Sequence, residues 1–200
     1  LNNKLWHGRF FAFDEYYSFL GLLGANHAEL AKRVPEFRLN ICLPSAILRQ
    51  TSITDPQARF CWLTGEHGEE LAKVGYWMDH VFHMAVIALG AYEYYEFTHD
   101  IEFLKQCYPM IRACAKFYTL NMIYDRGDGK YIGKCTDLER LGSSIENPFM
   151  TSCGIIKTLE ITAAAADVLD TDHKYRDECI MLASELRKTL PADDEKYLPY

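Results

Sequence analysis

The stretch Tyr94-Tyr-Glu-Phe-Thr-His-Asp-Ile-Glu-Phe-Leu104 decides the fold. Before it, Trp77, Val81, Met84, Ala85, Ala88 and Leu89 recur at helical spacing, so a helix is expected over Tyr76–Thr98. After it, Phe103, Leu104, Cys107, Met110, Ile111, Cys114, Phe117 and Tyr118 repeat on one face of a second helix. Asp100 is the residue type that accepts a hydrogen bond from first-turn amides. Only Thr98-His99-Asp100 separates the two apolar runs, so the chain must double back as an antiparallel helical hairpin.

A second hairpin follows the same plan. Helices are expected over Phe149–Leu169 and Lys174–Leu190, turned by Asp170-Thr171-Asp172 and stopped by Pro191. Asp172, Tyr175, Cys179 and Leu182 each stand 72 residues after Asp100, Phe103, Cys107 and Met110. Tandem hairpins of this kind build either an open solenoid or a closed α/α toroid. The period exceeds the ~34–47 residues of the common helical arrays, and long loops between hairpins favour the toroid. Upstream, the first thirteen residues read as extended, and Asp14 is expected to cap a helix over Glu15–Leu23 that Gly24 ends. A helix from near His27 to about Gln50 is expected to be broken by Pro35 and Pro44. Residues 51–75 and 125–148 read as long loops, the second as an active-site loop.

Composition narrows the function. Hydrophobic residues are 49% and charged residues 24%, enough apolar material for a folded core. The net charge is −7, which argues against a nucleic-acid or anionic-membrane partner. No apolar run approaches the ~18 residues of a membrane span. No secretory leader pattern is visible, and the compartment is left open. The cysteines at 42, 61, 107, 114, 135, 153 and 179 lack the spacing of a zinc site, and most sit in apolar helical stretches. They are expected to be reduced, buried small hydrophobes. No phosphate loop or GxSxG elbow is present, so neither a cofactor nor a Ser/His/Asp nucleophile is expected.

Chemistry concentrates in Lys134-Cys-Thr-Asp-Leu-Glu-Arg-Leu-Gly-Ser-Ser-Ile-Glu-Asn-Pro-Phe-Met-Thr-Ser-Cys-Gly154. Asp137, Glu139 and Glu146 lie within it. Glycoside hydrolysis needs one carboxyl kept protonated for the leaving oxygen and a second group to activate water. A half-buried loop carboxyl between aromatic walls acquires the raised pKa of an acid. The competing reading is that Asp137 or Glu146 caps the helix at 149, or that Glu139 pairs with Arg140. His80 and His83 share a helix face beside Asp79. With Glu69 or Glu70 they outline a metal site, but no second cluster supports one, so cleft lining is expected and no metal. Trp62, Tyr76, Trp77 and Tyr131 are ring candidates for stacking on sugar faces. Asp14 and Glu15 alternate with aromatics as cleft candidates.

Gly75-Tyr-Trp-Met-Asp-His80, Tyr94 to Leu104, Tyr108-Pro109 and Ala115-Lys-Phe-Tyr118 together resemble the six-hairpin glycosidases. The likeness is nearest to the inverting α-L-fucosidase-like glycoside hydrolases and is clearest over residues 75–190. It implies an all-α fold of antiparallel helical hairpins forming part of an (α/α)6 toroid, a carbohydrate substrate and no cofactor. In that group a Pro-Glu-Asn stretch carries the general acid. By distance from the Asp125–Gly129 turn Glu139 stands nearest that position. By local letters Glu146-Asn147 matches, and the Ser-Pro-Glu of the group is absent. Asn side chains near the start of the barrel and a downstream Asp activate water there. Asp14 falls nearest the early position, and the downstream Asp would lie beyond Tyr200. A closed toroid needs twelve helices and this chain has about six, so the rest of the ring is expected outside it. Spacing and resemblance together give Glu139, Glu146 and Asp137 as catalytic candidates and Trp77, His80, Tyr131, Asp14 and Asn147 as candidate substrate contacts. Two alternatives remain. One is a polysaccharide lyase on the same fold, using His80, His83 and Tyr131 for proton abstraction. The other is a non-catalytic helical-repeat binding module.

Overall fold

The computed structural model describes residues 8–47, 55–137 and 142–200. It is built of helices with one small hairpin of strands. The order is α1 (Ala12–Gly24), α2 (Ala28–Ala31), α3 (Arg33–Phe37), a π-helical turn (Arg38–Cys42), α4 (Leu43–Ala46), α5 (His83–Thr98), α6 (Ile101–Asn121), β1 (Ile123–Asp125), β2 (Lys130–Ile132), α7 (Phe149–Val168) and α8 (His173–Lys188).

The α5–α6 hairpin forms where the apolar pattern demands it. His99 ends α5 in the left-handed region at φ 56°, its N–H donating to Tyr95 O at 2.7 Å. Asp100 then caps α6, its carboxylate accepting from Phe103 N at 2.9 Å. Every apolar position of the expected α6 stripe is buried. The repeat to α8 holds in packing, because Tyr175, Cys179 and Leu182 are buried as are Phe103, Cys107 and Met110. Its cap does not repeat. Asp172 begins α8 at φ 52° without a side-chain cap bond. Its carboxylate instead takes Arg112 Nε at 2.5 Å and the Tyr108 hydroxyl at 3.1 Å.

Helices α1, α5 and α7 run in the same direction. Phe13 and Tyr16 of α1 meet Phe82 (ring centroids 5.6 Å apart) and Glu93 (hydroxyl to carboxylate, 2.9 Å), in that order along both chains. Gly154 of α7 lies against Ala85, a Cβ there standing 3.1 Å from that of Ala85, and Lys157 one turn on acts electrostatically on Glu93. Their N-termini therefore share one end of the molecule. Because α6 and α8 run back in hairpins, their C-termini and the β1–β2 ribbon arrive at that same end.

Three sequence expectations change. Helix α5 begins at His83, not Tyr76, because the backbone at 79–80 is used elsewhere: His80 bridges Thr136 in parallel and Thr136 N donates to Asp79 O at 3.1 Å. Helix α1 begins at Ala12, after Phe10 pairs antiparallel with Thr64. Asp14 thus sits inside the first turn, exposed, where its charge suits the helix dipole but caps nothing. The 125–148 stretch opens with part of the β-ribbon rather than running as a plain loop. All seven cysteines are free; five are buried as small hydrophobes, and Cys61 and Cys153 are only half-buried. No helix among the described residues is long and apolar enough to cross a membrane.

Candidate active site at the shared helix N-termini

Trp62, Leu63 and Phe82 form a small apolar cluster separate from the main core, with Phe11, Ala72 and Met150 packed on it. Its members come from the starts of α1, α5 and α7 and from the loop before α5. Glu70 builds that loop. Its carboxylate accepts from Trp62 N at 2.9 Å, Leu63 N at 3.1 Å and Ala72 N at 2.9 Å. Glu70 therefore serves the backbone. Among the described residues no group of His, Cys, Asp and Glu is arranged to hold a metal ion.

His80 packs its ring against two tryptophans. Its ring stacks on Trp62 at 4.0 Å and 14°, and on Trp77 at 6.0 Å and 28°. Tyr76 stands edge-on to both His80 and Trp77. Trp77 is 40% exposed whereas His80 is fully buried. Burial pushes the His80 pKa down to about 4, with the backbone of Asp137 opposing it. His83 is also buried, and burial pushes its pKa down to about 3. Its Nε2 lies 2.8 Å from Phe60 O, so the neutral ring carries its proton there and donates.

Asp137 roots the acidic loop. Its carboxylate accepts from Thr151 N at 3.0 Å and from the Thr151 hydroxyl at 2.5 Å. Thr151 is the third residue of α7, and Pro148 at the N-cap has no side-chain acceptor to offer it. A remote carboxylate thus caps α7. The first amide, Phe149 N, is met by Pro199 O at 2.9 Å. Cys135 and Ile145 close the base of the loop as an antiparallel pair at 3.1 and 2.9 Å. Glu139 lies outside the described residues.

The remaining candidates form a second group beside the β-ribbon. Glu146 is exposed and accepts the Tyr124 hydroxyl, a bond that raises the pKa of that tyrosine. Tyr131 pairs with Tyr124 across the ribbon, and the Arg126 guanidinium sits 4.3 Å from its ring centre. Asn147, at φ 49°, ties β2 to the end of α8: its Oδ1 accepts from Ile132 N and its Nδ2 donates to Thr189 O. The structure therefore brings Trp77, His80 and Asp137 to one place, sets Tyr131, Glu146 and Asn147 together at the ribbon, and leaves Asp14 exposed on α1.

The competing reading of Asp137 as a cap for the helix at 149 holds, with Thr151, which the sequence did not single out, as the residue capped. Sequence reading also missed Arg38, which is buried and donates to Glu15 at 2.6 and 2.9 Å and to the Thr64 hydroxyl at 2.8 Å, fixing the entry to α1. Nδ1 of His83 and the hydroxyls of Thr136 and Ser152 are buried without a hydrogen-bond partner among the described residues. The region retains hydrogen-bonding capacity that the fold does not use.

Helices α1, α5 and α7 run parallel and α6 and α8 return beside them, which makes this an all-α domain of helical hairpins, as in part of an (α/α) toroid. The profile of the glycosyl hydrolase family 95 catalytic domain matches residues 62–194, and the chain belongs to this family. It is also similar to a kojibiose hydrolase of Mucilaginibacter mallensis, 28% identical over 174 residues, covering 85% of this chain and 25% of that protein. The chain spans about a quarter of the length of that curated relative.

Proposed function

We propose that this chain is part of the catalytic domain of a glycoside hydrolase that cleaves O-glycosidic bonds of oligosaccharides with inversion. Residues 1–200 contribute part of the toroid, and the loop within 125–148 carries the general acid. Glu139 protonates the departing glycosidic oxygen, and a base outside these residues activates water on the opposite face. In an inverting site the two groups stand ~6.5–9.5 Å apart to admit that water.

The observation that carries this reading is the Asp137–Thr151 clamp, which ties the stem of the acidic loop to the aromatic end of the helices. Family membership supports hydrolysis of a glycosidic bond. Asp137 has one oxygen committed to two donors, so its part in the site is to anchor the loop. Glu146 is exposed and accepts the Tyr124 hydroxyl, and Glu139 is preferred because its distance from the Asp125–Gly129 turn is the one the family resemblance gives to the acid. The relative's name points to a disaccharide such as kojibiose, and the sequence likeness to an α-L-fucoside.

The test is turnover of kojibiose and of aryl α-glucosides and α-L-fucosides by the full-length protein and its Glu139→Gln and Glu146→Gln variants. Glu139→Gln is expected to lose roughly 10²–10⁴-fold in kcat on the unactivated disaccharide, and Glu146→Gln far less. NMR of the first-formed anomer reads inversion directly. Near-normal turnover by both variants would falsify the acid assignment.

A further inference from the structure

Trp62, His80 and Trp77 form a three-ring ladder with neighbouring rings 14° and 28° from parallel. Its inner ring, Trp62, is nearly buried and held from below. The backbone at 62 and 63 hangs on the Glu70 carboxylate, and the Trp62 ring meets Phe11 at 6.1 Å and Phe82 at 5.4 Å. Its middle ring is sealed from solvent, and the polar group set against it is the backbone of Asp137. Its ring contacts with Trp62 and Trp77 are what tie the two indoles together. The outer ring, Trp77, is 40% exposed at the end where the acidic loop is rooted.

A supported, solvent-facing indole suits the C–H face of a pyranose, which is apolar and flat. An unsupported Trp would lose rotamer freedom on binding a sugar, whereas one already stacked has lost it on folding. We infer that Trp77 is the platform on which a pyranose ring of the substrate stacks, and that His80 is a positioning residue that holds this platform on Trp62 without touching the sugar. This rests on the glycosidase reading and adds the source of substrate binding to it.

The experiment uses the full-length protein with Trp77→Ala, Trp77→Phe, His80→Ala and His80→Phe, each checked for folding by circular dichroism. Steady-state kinetics are measured on whichever of kojibiose or the aryl glycosides is turned over. Trp77→Ala is expected to raise KM about tenfold with kcat within about threefold, and Trp77→Phe to recover most of it. His80→Ala should move KM the same way, and His80→Phe, which keeps a flat ring and removes both nitrogens, should restore it. His80→Phe as impaired as His80→Ala would show that a nitrogen is used and overturn the positioning role. An unchanged KM in Trp77→Ala would overturn the platform while hydrolysis itself stands. If no glycoside is hydrolysed, the glycosidase reading fails separately, and tryptophan emission titrated with kojibiose decides the platform. A change abolished by Trp77→Phe supports it, and the absence of any change overturns it.

Discussion

Asp137 and Thr151, fourteen residues apart, are joined by two hydrogen bonds into one carboxylate oxygen. This pair does the work of a helix cap at a position where proline precludes a local one, and it ties the loop to the first turn of α7. Asp137→Ala should therefore cost about 1–2 kcal/mol of stability, the usual loss on removing a cap. Thr151→Val removes only the hydroxyl and should cost about 1 kcal/mol, while Thr151→Ser should be close to neutral. Urea denaturation midpoints measure all three. Equal, negligible losses would mean that the loop is not fastened there.

The close approach of α5 and α7 sets the spacing of the site. Gly154 faces Ala85 with a Cβ-to-Cβ distance of 3.1 Å for any larger residue, already tighter than ordinary contact. Gly154→Val must push the helices apart and should destabilise by about 1–3 kcal/mol, the cost of overpacking. Turnover should fall as well, because Ala85 is the third residue of the helix that follows the Trp77–Phe82 turn. A thermal midpoint equal to that of the unaltered protein would contradict the packing.

Helix hairpins were legible because apolar periodicity and an Asp cap report on local structure. Asp100 meets Phe103 within one turn, and the α6 stripe buries as one face. The start of α5 was not legible. Trp77, Val81 and Met84 fit a helical period, but the bridge from His80 to Thr136 pulls the backbone out of the helix, and nothing near residue 80 announces a partner 56 residues away. The same limit applies to the site. Trp77, His80 and Asp137 could be named singly, whereas their convergence depends on a loop folding back on a parallel pair of helices. Asn147 read as a sugar contact, yet its amide is consumed in joining β2 to α8.

Arg38 and Glu15 form a buried ion pair beneath the start of α1. Burial raises the Glu15 pKa despite the opposing Arg38 guanidinium, so desolvation dominates. Breaking such a pair from one side leaves a charge without a partner. Arg38→Met is expected to cost about 3–5 kcal/mol, and Glu15→Gln with Arg38→Met to recover a good part of it. A double-mutant cycle by urea denaturation checks this. A double variant no more stable than the single one would mean that Arg38 acts mainly through Thr64.

Acid should weaken the fold through the two buried histidines. The ordinary histidine pKa is 6.5, and in the folded protein burial lowers that of His80 to about 4 and that of His83 to about 3. Below 6.5 the unfolded chain takes up protons that the folded chain refuses. The stability tied to these neutral rings is thus complete above that pH and is lost progressively as pH falls toward the folded values. Each group contributes a slope of up to about 1.4 kcal/mol per pH unit. Denaturant midpoints should be nearly level between about pH 7.5 and 7 and fall increasingly from about pH 6.5 to 5.5, a window above the ordinary carboxylate range. His80→Phe should reduce that slope by roughly half, because it removes one of the two groups. A midpoint that stays constant across the window would mean that these rings are not held neutral by burial.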